Sequence, residues 1–90
     1  MRVVLIWREE SDYGRRVREW LGDFRRRTGR ELELLSPDEP AGESLAHLYD
    51  VTNYPVILVL GDDGRLIHSW SGADESFPRI DDVNGYMLDQ

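Results

Sequence analysis

One stretch, Asp50 to Gly72, constrains the fold of this 90-residue chain more than any other. Five consecutive apolar residues, Val56 to Leu60, come directly after Tyr54-Pro55 and are typical of a buried strand. Proline cannot donate a hydrogen bond to a neighbouring strand, so it fits the first position of a strand, where Pro55 stands. Because an aromatic residue precedes this proline, we expect the Tyr54–Pro55 peptide bond to be cis.

A hairpin is predicted after this strand. Gly61-Asp62-Asp63-Gly64 is a turn sequence, and a second strand follows it and ends at Trp70. Leu66, His68 and Trp70 share one face of that strand. Its mixed composition predicts an edge position, whereas the apolar strand before the turn is predicted to be central.

A strand and a helix are predicted at the amino end. Val3 to Trp7 is continuously apolar, which is typical of a strand buried on both faces. The apolar residues that follow recur at helical spacing and predict one buried stripe along a helix of about four turns: Tyr13, Val17, Trp20, Leu21 and Phe24. We expect Ser11 or Asp12 to cap the start of this helix and Gly29 to end it.

One more strand and two more helices complete the prediction. Glu31 to Leu34 alternates polar and apolar residues, as a strand with one face in water does. A helix is expected from about Gly42 to Tyr49. Its inner side is predicted to carry Leu45, Leu48 and Tyr49. After Pro78, helical spacing predicts a third helix through Ile80, Val83 and Met87.

These patterns also predict how the strands are arranged. A strand–helix–strand start implies a parallel pair joined by a right-handed crossover, and the hairpin supplies an antiparallel pair. With the two apolar strands in the centre, the order 2-1-3-4 with helices on both faces satisfies every constraint. We therefore predict an α/β fold with a four-stranded mixed sheet, in a single domain that spans residues 1–90.

The order and spacing of these motifs resemble the thioredoxin family over about residues 2–88. In thioredoxins an apolar strand ends in Phe-Trp, three residues follow, and a Cys-Gly-Pro-Cys motif opens the first helix. Here Ile6 to Glu10 is followed by Ser11-Asp12-Tyr13-Gly14, so Ser11 and Gly14 stand where the two redox cysteines would be. Leu5 stands where thioredoxins keep a buried acidic residue. The family's later features are matched by Tyr54-Pro55, the Gly64 turn and Trp70-Ser71-Gly72.

The absence of cysteine excludes the chemistry of that family. Dithiol exchange requires a thiolate, and the sequence has no residue that forms one. His47 and His68 are the only histidines, and neither is placed near the first helix start. Asp62-Asp63-Gly64 lacks the remaining ligands of a calcium loop. We therefore predict no catalytic residue, no cofactor and no metal site.

The resemblance still implies a binding surface. In active relatives the backbone beside the proline pairs with an extended substrate segment, which is a form of β-augmentation. The resemblance thus implies a non-catalytic thioredoxin-like binding module that holds an extended polypeptide or protein partner beside a cis-Pro55 loop. The expected binding residues are Trp7, Ser11, Asp12, Tyr13, Tyr54 and Pro55.

Charge keeps two alternatives open. Residues 1–30 hold nine arginines against five acidic residues, a net of +4, whereas residues 31–90 hold two against thirteen, a net of −11. Opposed charges of this kind favour a structural protein that associates with itself. Because exposed charge pairs are weak and screened by salt, the expected state is a monomer or a weak, salt-sensitive dimer. Four arginines near the first helix start favour an anionic small molecule there, bound or turned over by a cysteine-independent enzyme, with plain solvated charge as the alternative: Arg8, Arg15, Arg16 and Arg18. The acidic total of −7 argues against nucleic acid as the partner.

The location of the protein is predicted from two further absences. No charged segment followed by an apolar run opens the sequence, as it would in a secretory signal. No run reaches the roughly 18 apolar residues of a membrane span. We therefore expect a soluble, cytoplasmic protein with no membrane partner.

Overall fold

The computed structural model describes residues 1–74 and 77–88. Its elements follow in the order β1 (Arg2–Ile6), α1 (Gly14–Thr28), β2 (Glu33–Leu35), α2 (Pro40–Leu48), β3 (Val56–Leu60), β4 (Leu66–Ser71) and α3 (Ile80–Met87). The strands form one sheet in the order β2-β1-β3-β4, which confirms the predicted order. β1 is parallel to β2 and antiparallel to β3, and β4 is antiparallel to β3.

Helices cover both faces of this sheet, as predicted. Successive residues of a strand point to opposite faces, so a strand that is apolar throughout needs a cover on each side. One face packs against α1 and α3 in a cluster that includes Leu5, Phe24 and Val83. The other face packs against α2 in a cluster that includes Val4 and Ala46. Burial of each such large side chain stabilises the fold by about 1.5–3 kcal/mol.

The two ends of α1 differ in how well the sequence predicts them. Gly29 ends the helix as expected, in the left-handed conformation with φ 71°, and its N–H donates to the Arg25 carbonyl at 2.9 Å. The predicted capping by Ser11 or Asp12 is wrong. The residue before the helix is Tyr13, and no side chain caps the helix start. The Ser11 hydroxyl donates to the Arg8 carbonyl at 2.6 Å instead, and is thereby committed to the preceding loop.

The inner side of α2 was predicted correctly for Leu45 and Tyr49, which pack against the second cluster, and wrongly for Leu48. The helix begins at Pro40, because proline suits the first turn, where its missing N–H has no partner to lose. Leu48 was expected to face inward, but it is 68% exposed. The buried residues are Gly42 and Ala46. A Cβ at position 42 would lie 2.6 Å from the Ser36 carbonyl carbon, so the helix approaches the preceding loop too closely for a large side chain.

The strand β2 departs from the predicted alternation. Leu32, just before it, is buried, but Leu34 is 49% exposed, although both were expected on the covered face. Leu34 lines a groove between α1 and β2, and β2 is an edge strand of the sheet. The other predicted elements, β1, β3, β4 and α3, lie within one residue of their expected positions or spacing.

Candidate functional site

Four strand termini meet at one end of the sheet. Ile6 pairs with Leu35 in β2 and with Val56 in β3, and Val56 pairs with Ser71 in β4. The carboxyl ends of β1, β2 and β4 therefore lie beside the beginning of β3. In the strand order β2-β1-β3-β4, the segments at this end are 36–39, 7–10, 54–55 and 72–74. The chain continues from the second of these segments, through a short turn, into α1. We call this set the strand-end site.

Arg8 joins three of these segments and the start of α1. Its guanidinium donates to both carboxylate oxygens of Asp38, at 3.0 and 3.1 Å, and its Cζ lies 5.2 Å from the centre of the Tyr54 ring. Its backbone N–H donates to the Tyr13 hydroxyl at 2.8 Å, and its carbonyl accepts from the Ser11 hydroxyl. Arg8, which was not among the expected binding residues, therefore contacts three that were: Ser11, Tyr13 and Tyr54.

The Arg8–Asp38 pair also fixes the charge states of both groups. Two parallel hydrogen bonds to a carboxylate favour its ionised form, so Arg8 lowers the pKa of Asp38. By the same hydrogen bonds, Asp38 raises the pKa of Arg8. Both side chains are largely exposed, so water screens the pair and its contribution to stability is small. Its main effect is to hold the guanidinium beside the Tyr54 ring.

The six residues expected to bind a partner differ in exposure. Tyr54, Tyr13 and Ser11 are partly exposed at the strand-end site. Trp7 is only 7% exposed and belongs to the core cluster under α1, so it offers little of its ring to a partner. Pro55 is fully buried. Asp12 is exposed in the turn that precedes α1.

The backbone at Tyr54 is open, although its neighbours are paired. The Tyr54–Pro55 peptide bond is cis. The Pro55 carbonyl accepts a hydrogen bond from the Gly72 N–H at 2.9 Å, which joins β3 and β4 just beyond their ladder. Within residues 1–74 and 77–88, neither the N–H nor the carbonyl of Tyr54 makes a hydrogen bond. A partly exposed residue thus presents an unpaired donor and an unpaired acceptor between two paired segments.

The loop that precedes α1 packs directly on the helix. A Cβ at Gly14 would lie 2.9 Å from the Glu9 carbonyl carbon and closer still to its oxygen. Gly14 is the position that matches the second redox cysteine of thioredoxins. The backbone of Glu9 therefore fills the space that a side chain at this position would need.

Two grooves lie on either side of Tyr54. One, which we call the acidic groove, has a volume of about 410 Å³ and lies at the ends of β1 and β2. Its polar lining consists of Arg8, Glu9, Glu10, Ser36, Asp38 and Glu39. The other, which we call the apolar groove, has a volume of about 510 Å³ and lies between α1 and the segment that precedes α3. It is lined by Arg16, Val17, Trp20, Ala73, Asp74, Phe77 and Pro78.

The remaining candidate groups lie away from this site. His47 is exposed on α2, and His68 lies on β4, where its ring contacts those of Trp70 and Tyr86. In the described part of the chain no group of three or more histidine or acidic side chains is placed to hold a metal ion. No helix among the described residues is long and apolar enough to cross a membrane.

The arrangement defines a thioredoxin-like fold, and two solved structures share it. Thioredoxin 1 from the thermophilic eubacterium Thermosipho africanus TCF52B has a TM-score of 0.64 and 11% sequence identity, over 99% of this chain and 92% of that chain. A malarial protein has a TM-score of 0.62 and 17% identity, over 97% of this chain and 92% of that chain. No family model and no curated protein sequence matches the chain. The chain therefore has the thioredoxin-like fold and lacks the redox cysteines.

Sequence reasoning missed the contribution of Arg8, Asp38 and Ala73. Arg8 was grouped with the arginines of the first helix as solvated charge or part of an anion site. The position of Arg8 directly after β1 could have indicated that it lies near the end of β2, because the predicted strand order already puts the ends of β1 and β2 next to each other. No local pattern indicates that Asp38 is its partner.

Proposed function

We propose that this protein is a non-catalytic thioredoxin-like binding module that holds an extended polypeptide beside the Tyr54–Pro55 loop. The observation that carries the proposal is the open backbone of Tyr54. Its N–H and carbonyl lie at the end of a sheet with no partner in the described chain. An extended segment can satisfy both groups at once, which is how β-augmentation gains affinity without depending on sequence.

The chemistry of the site supports binding rather than turnover. Thiol–disulfide exchange is not available to a chain without cysteine. A serine nucleophile needs a base within hydrogen-bonding distance, but the Ser11 hydroxyl donates to the Arg8 carbonyl, which cannot act as one. We therefore propose that the protein is not an enzyme.

The arginines near the start of α1 are weak support for an anionic ligand. Arg15 lies 3.4 Å from Glu19, and Arg18 lies 3.5 Å from Glu9. Each guanidinium thus already has a carboxylate neighbour, and a ligand anion would compete with it. The support for self-association through opposed charges is weakened in the same way, because much of the positive charge of α1 is neutralised within the same molecule.

A pull-down from the source cell tests the proposal when it is combined with hydrogen exchange. The bait is the wild-type protein, with a Tyr54→Ala variant and a Leu48→Ala variant as matched controls. Leu48 is 68% exposed on α2, outside the strand-end site, so its replacement removes a comparable apolar side chain elsewhere. We expect the wild type and Leu48→Ala to retain the same partner and Tyr54→Ala to retain less.

The exchange measurement examines the backbone itself. The amide of Tyr54 should exchange with solvent more slowly in the complex, because a hydrogen bond to the partner protects it. The amide of Asp63, in the exposed β3–β4 turn, should be unchanged. Equal retention by all three baits, with no protection at Tyr54, would overturn the proposed function.

A further inference from the structure

Among the described residues, side chains of α1 make several contacts with residues on the other side of the apolar groove. The Trp20 ring forms one wall and stacks on Phe24, with ring centres 5.2 Å apart. Its Nε1 donates to the Pro78 carbonyl at 3.1 Å, and its ring packs against the Phe77 ring in a T-shaped arrangement, with ring centres 5.1 Å apart. Arg16 Nη1 donates to the Ala73 carbonyl at 2.6 Å. Hydrogen bonds thus join α1 to the backbone of Ala73 and of Pro78.

The groove begins at the residue after Gly72, which is hydrogen-bonded to Pro55, the neighbour of Tyr54. Ala73 lines the groove, and the preceding residue, Gly72, donates to the Pro55 carbonyl. In an extended segment, alternate side chains point to the same side and are separated by about 6.6–6.8 Å. A segment paired with Tyr54 can therefore place one side chain in the apolar groove while its backbone stays at the strand-end site.

The charge on the other side of Tyr54 selects the kind of partner. The acidic groove contains four carboxylates and one guanidinium. Arg8 pairs with Asp38, and Arg18 pairs with Glu9, but Glu10 and Glu39 have no ion pair within the described residues. A second copy of this chain carries the same net charge of −7 and is repelled. A basic segment is attracted.

We propose that the partner is a basic, extended peptide that places one aromatic or large aliphatic side chain in the apolar groove. Its lysine or arginine residues lie on the side of Glu10 and Glu39. This inference rests on the proposed function, because the backbone of the same peptide pairs with Tyr54. It adds the chemical class of the partner and the direction in which the peptide lies across the site.

Four synthetic peptides test the inference. Each is a dye-labelled nonapeptide with a serine- and valine-rich centre, and they differ in two features. One terminus carries three arginines or three glutamates, and the position expected in the groove is phenylalanine or glycine. Fluorescence anisotropy measures their affinities for the full chain. We expect the basic phenylalanine peptide to bind about tenfold or more tightly than the basic glycine peptide, because only the former buries a large apolar side chain.

Charge-reversal variants test the acidic side with little risk to the fold. The test variant is Glu10→Lys, Glu39→Lys, and the matched control is Glu43→Lys, Asp63→Lys, which changes the net charge equally at exposed positions outside both grooves. The test variant should weaken binding of the basic phenylalanine peptide about fivefold or more, and the control should weaken it less. The difference between the two variants should shrink as salt is added, because salt screens exposed charges.

The outcomes separate this inference from the proposed function. Equal binding of all four peptides, with the Tyr54 amide protected, would overturn the partner class and leave the binding module intact. Tighter binding of the acidic peptides, or an equal effect of the two double variants, would do the same. No binding by any peptide, with the Tyr54 amide unprotected, would overturn both.

Discussion

Replacing Gly14 with alanine would measure how closely the loop before α1 packs on the helix. The new Cβ would lie 2.9 Å from the Glu9 carbonyl carbon and closer still to the oxygen. Non-bonded carbon atoms attract one another best at about 3.5–4.0 Å, so the loop would have to move outward by more than half an ångström. The obstacle is backbone, which cannot move aside as a flexible side chain can.

Several contacts oppose that movement. The Ser11 hydroxyl holds the Arg8 carbonyl at 2.6 Å, and the Tyr13 hydroxyl holds the Arg8 N–H at 2.8 Å. The Gly14 N–H itself donates to the Ser11 carbonyl at 3.1 Å. Forcing an extra carbon into a close-packed site costs about 1–3 kcal/mol and occasionally more. Alanine gains at most about 1 kcal/mol over glycine in a helix. If the full gain of about 1 kcal/mol applies, the net expectation is a loss of up to about 2 kcal/mol.

Gly85 provides a matched control in α3. Among the described residues, and apart from the backbone of its own helix and its chain neighbours, no atom lies within 4 Å of a Cβ at that position, so we expect Gly85→Ala to carry mainly the gain in helix propensity. We expect it to stabilise the protein by about 0.5–1 kcal/mol. The two variants make the same chemical change in a helix and should shift stability in opposite directions.

Urea unfolding followed by far-UV circular dichroism measures both variants against the wild type. With an m-value of about 1–3 kcal/mol/M in urea, a change of 1 kcal/mol shifts the unfolding midpoint by about 0.3–1 M, so the difference between the variants is well within reach. The reasoning would be refuted if Gly14→Ala were as stable as Gly85→Ala with unchanged m-values. Such a result would mean that the loop moves away from α1 at little cost.

Three further predictions concern redox chemistry, pH and association. The wild type should reduce insulin no faster than buffer. A Ser11→Cys, Gly14→Cys variant should also be inactive, because the Glu9 backbone fills the space that a side chain at position 14 needs. Turnover by the double variant would contradict the packing argument. Two hydrogen bonds from Arg2 lower the pKa of Glu33. The contribution of these hydrogen bonds to stability is therefore fully present above the ordinary glutamate pKa of about 4.3, and it is lost as the pH falls through the lower pKa of the folded state. Unfolding free energies of the wild type and Glu33→Gln should therefore differ at pH 7 and converge in strong acid, and a constant difference would contradict the assignment. Light scattering should show a monomer, or a weak dimer that dissociates as salt rises, whereas a dimer that is unchanged from low to high salt would indicate an apolar interface instead.

The sequence by itself determined most of the fold, because the signals for it are local. The apolar runs of β1 and β3 require burial on both faces, and this places them at the centre of the sheet. Helical spacing predicted α1 and α3, and Gly29 marked a helix end that needs a positive φ. Each of these depends on the period of a strand or helix, or on the conformational freedom of one residue. The absence of cysteine argued against thiol–disulfide exchange in the same direct way.

Only the tertiary structure decided how segments distant in sequence approach one another. The close approach of Gly42 to residue 36 and the exposure of Leu48 both depend on how α2 packs, and the amphipathic pattern carries no record of that packing. The site depends on the same kind of information. Arg8 and Asp38 are 30 residues apart, and they meet because β1 and β2 end side by side. The open backbone of Tyr54 is likewise determined by which neighbours pair, since hydrogen bonding between segments depends on their relative positions and not on the residue's own identity.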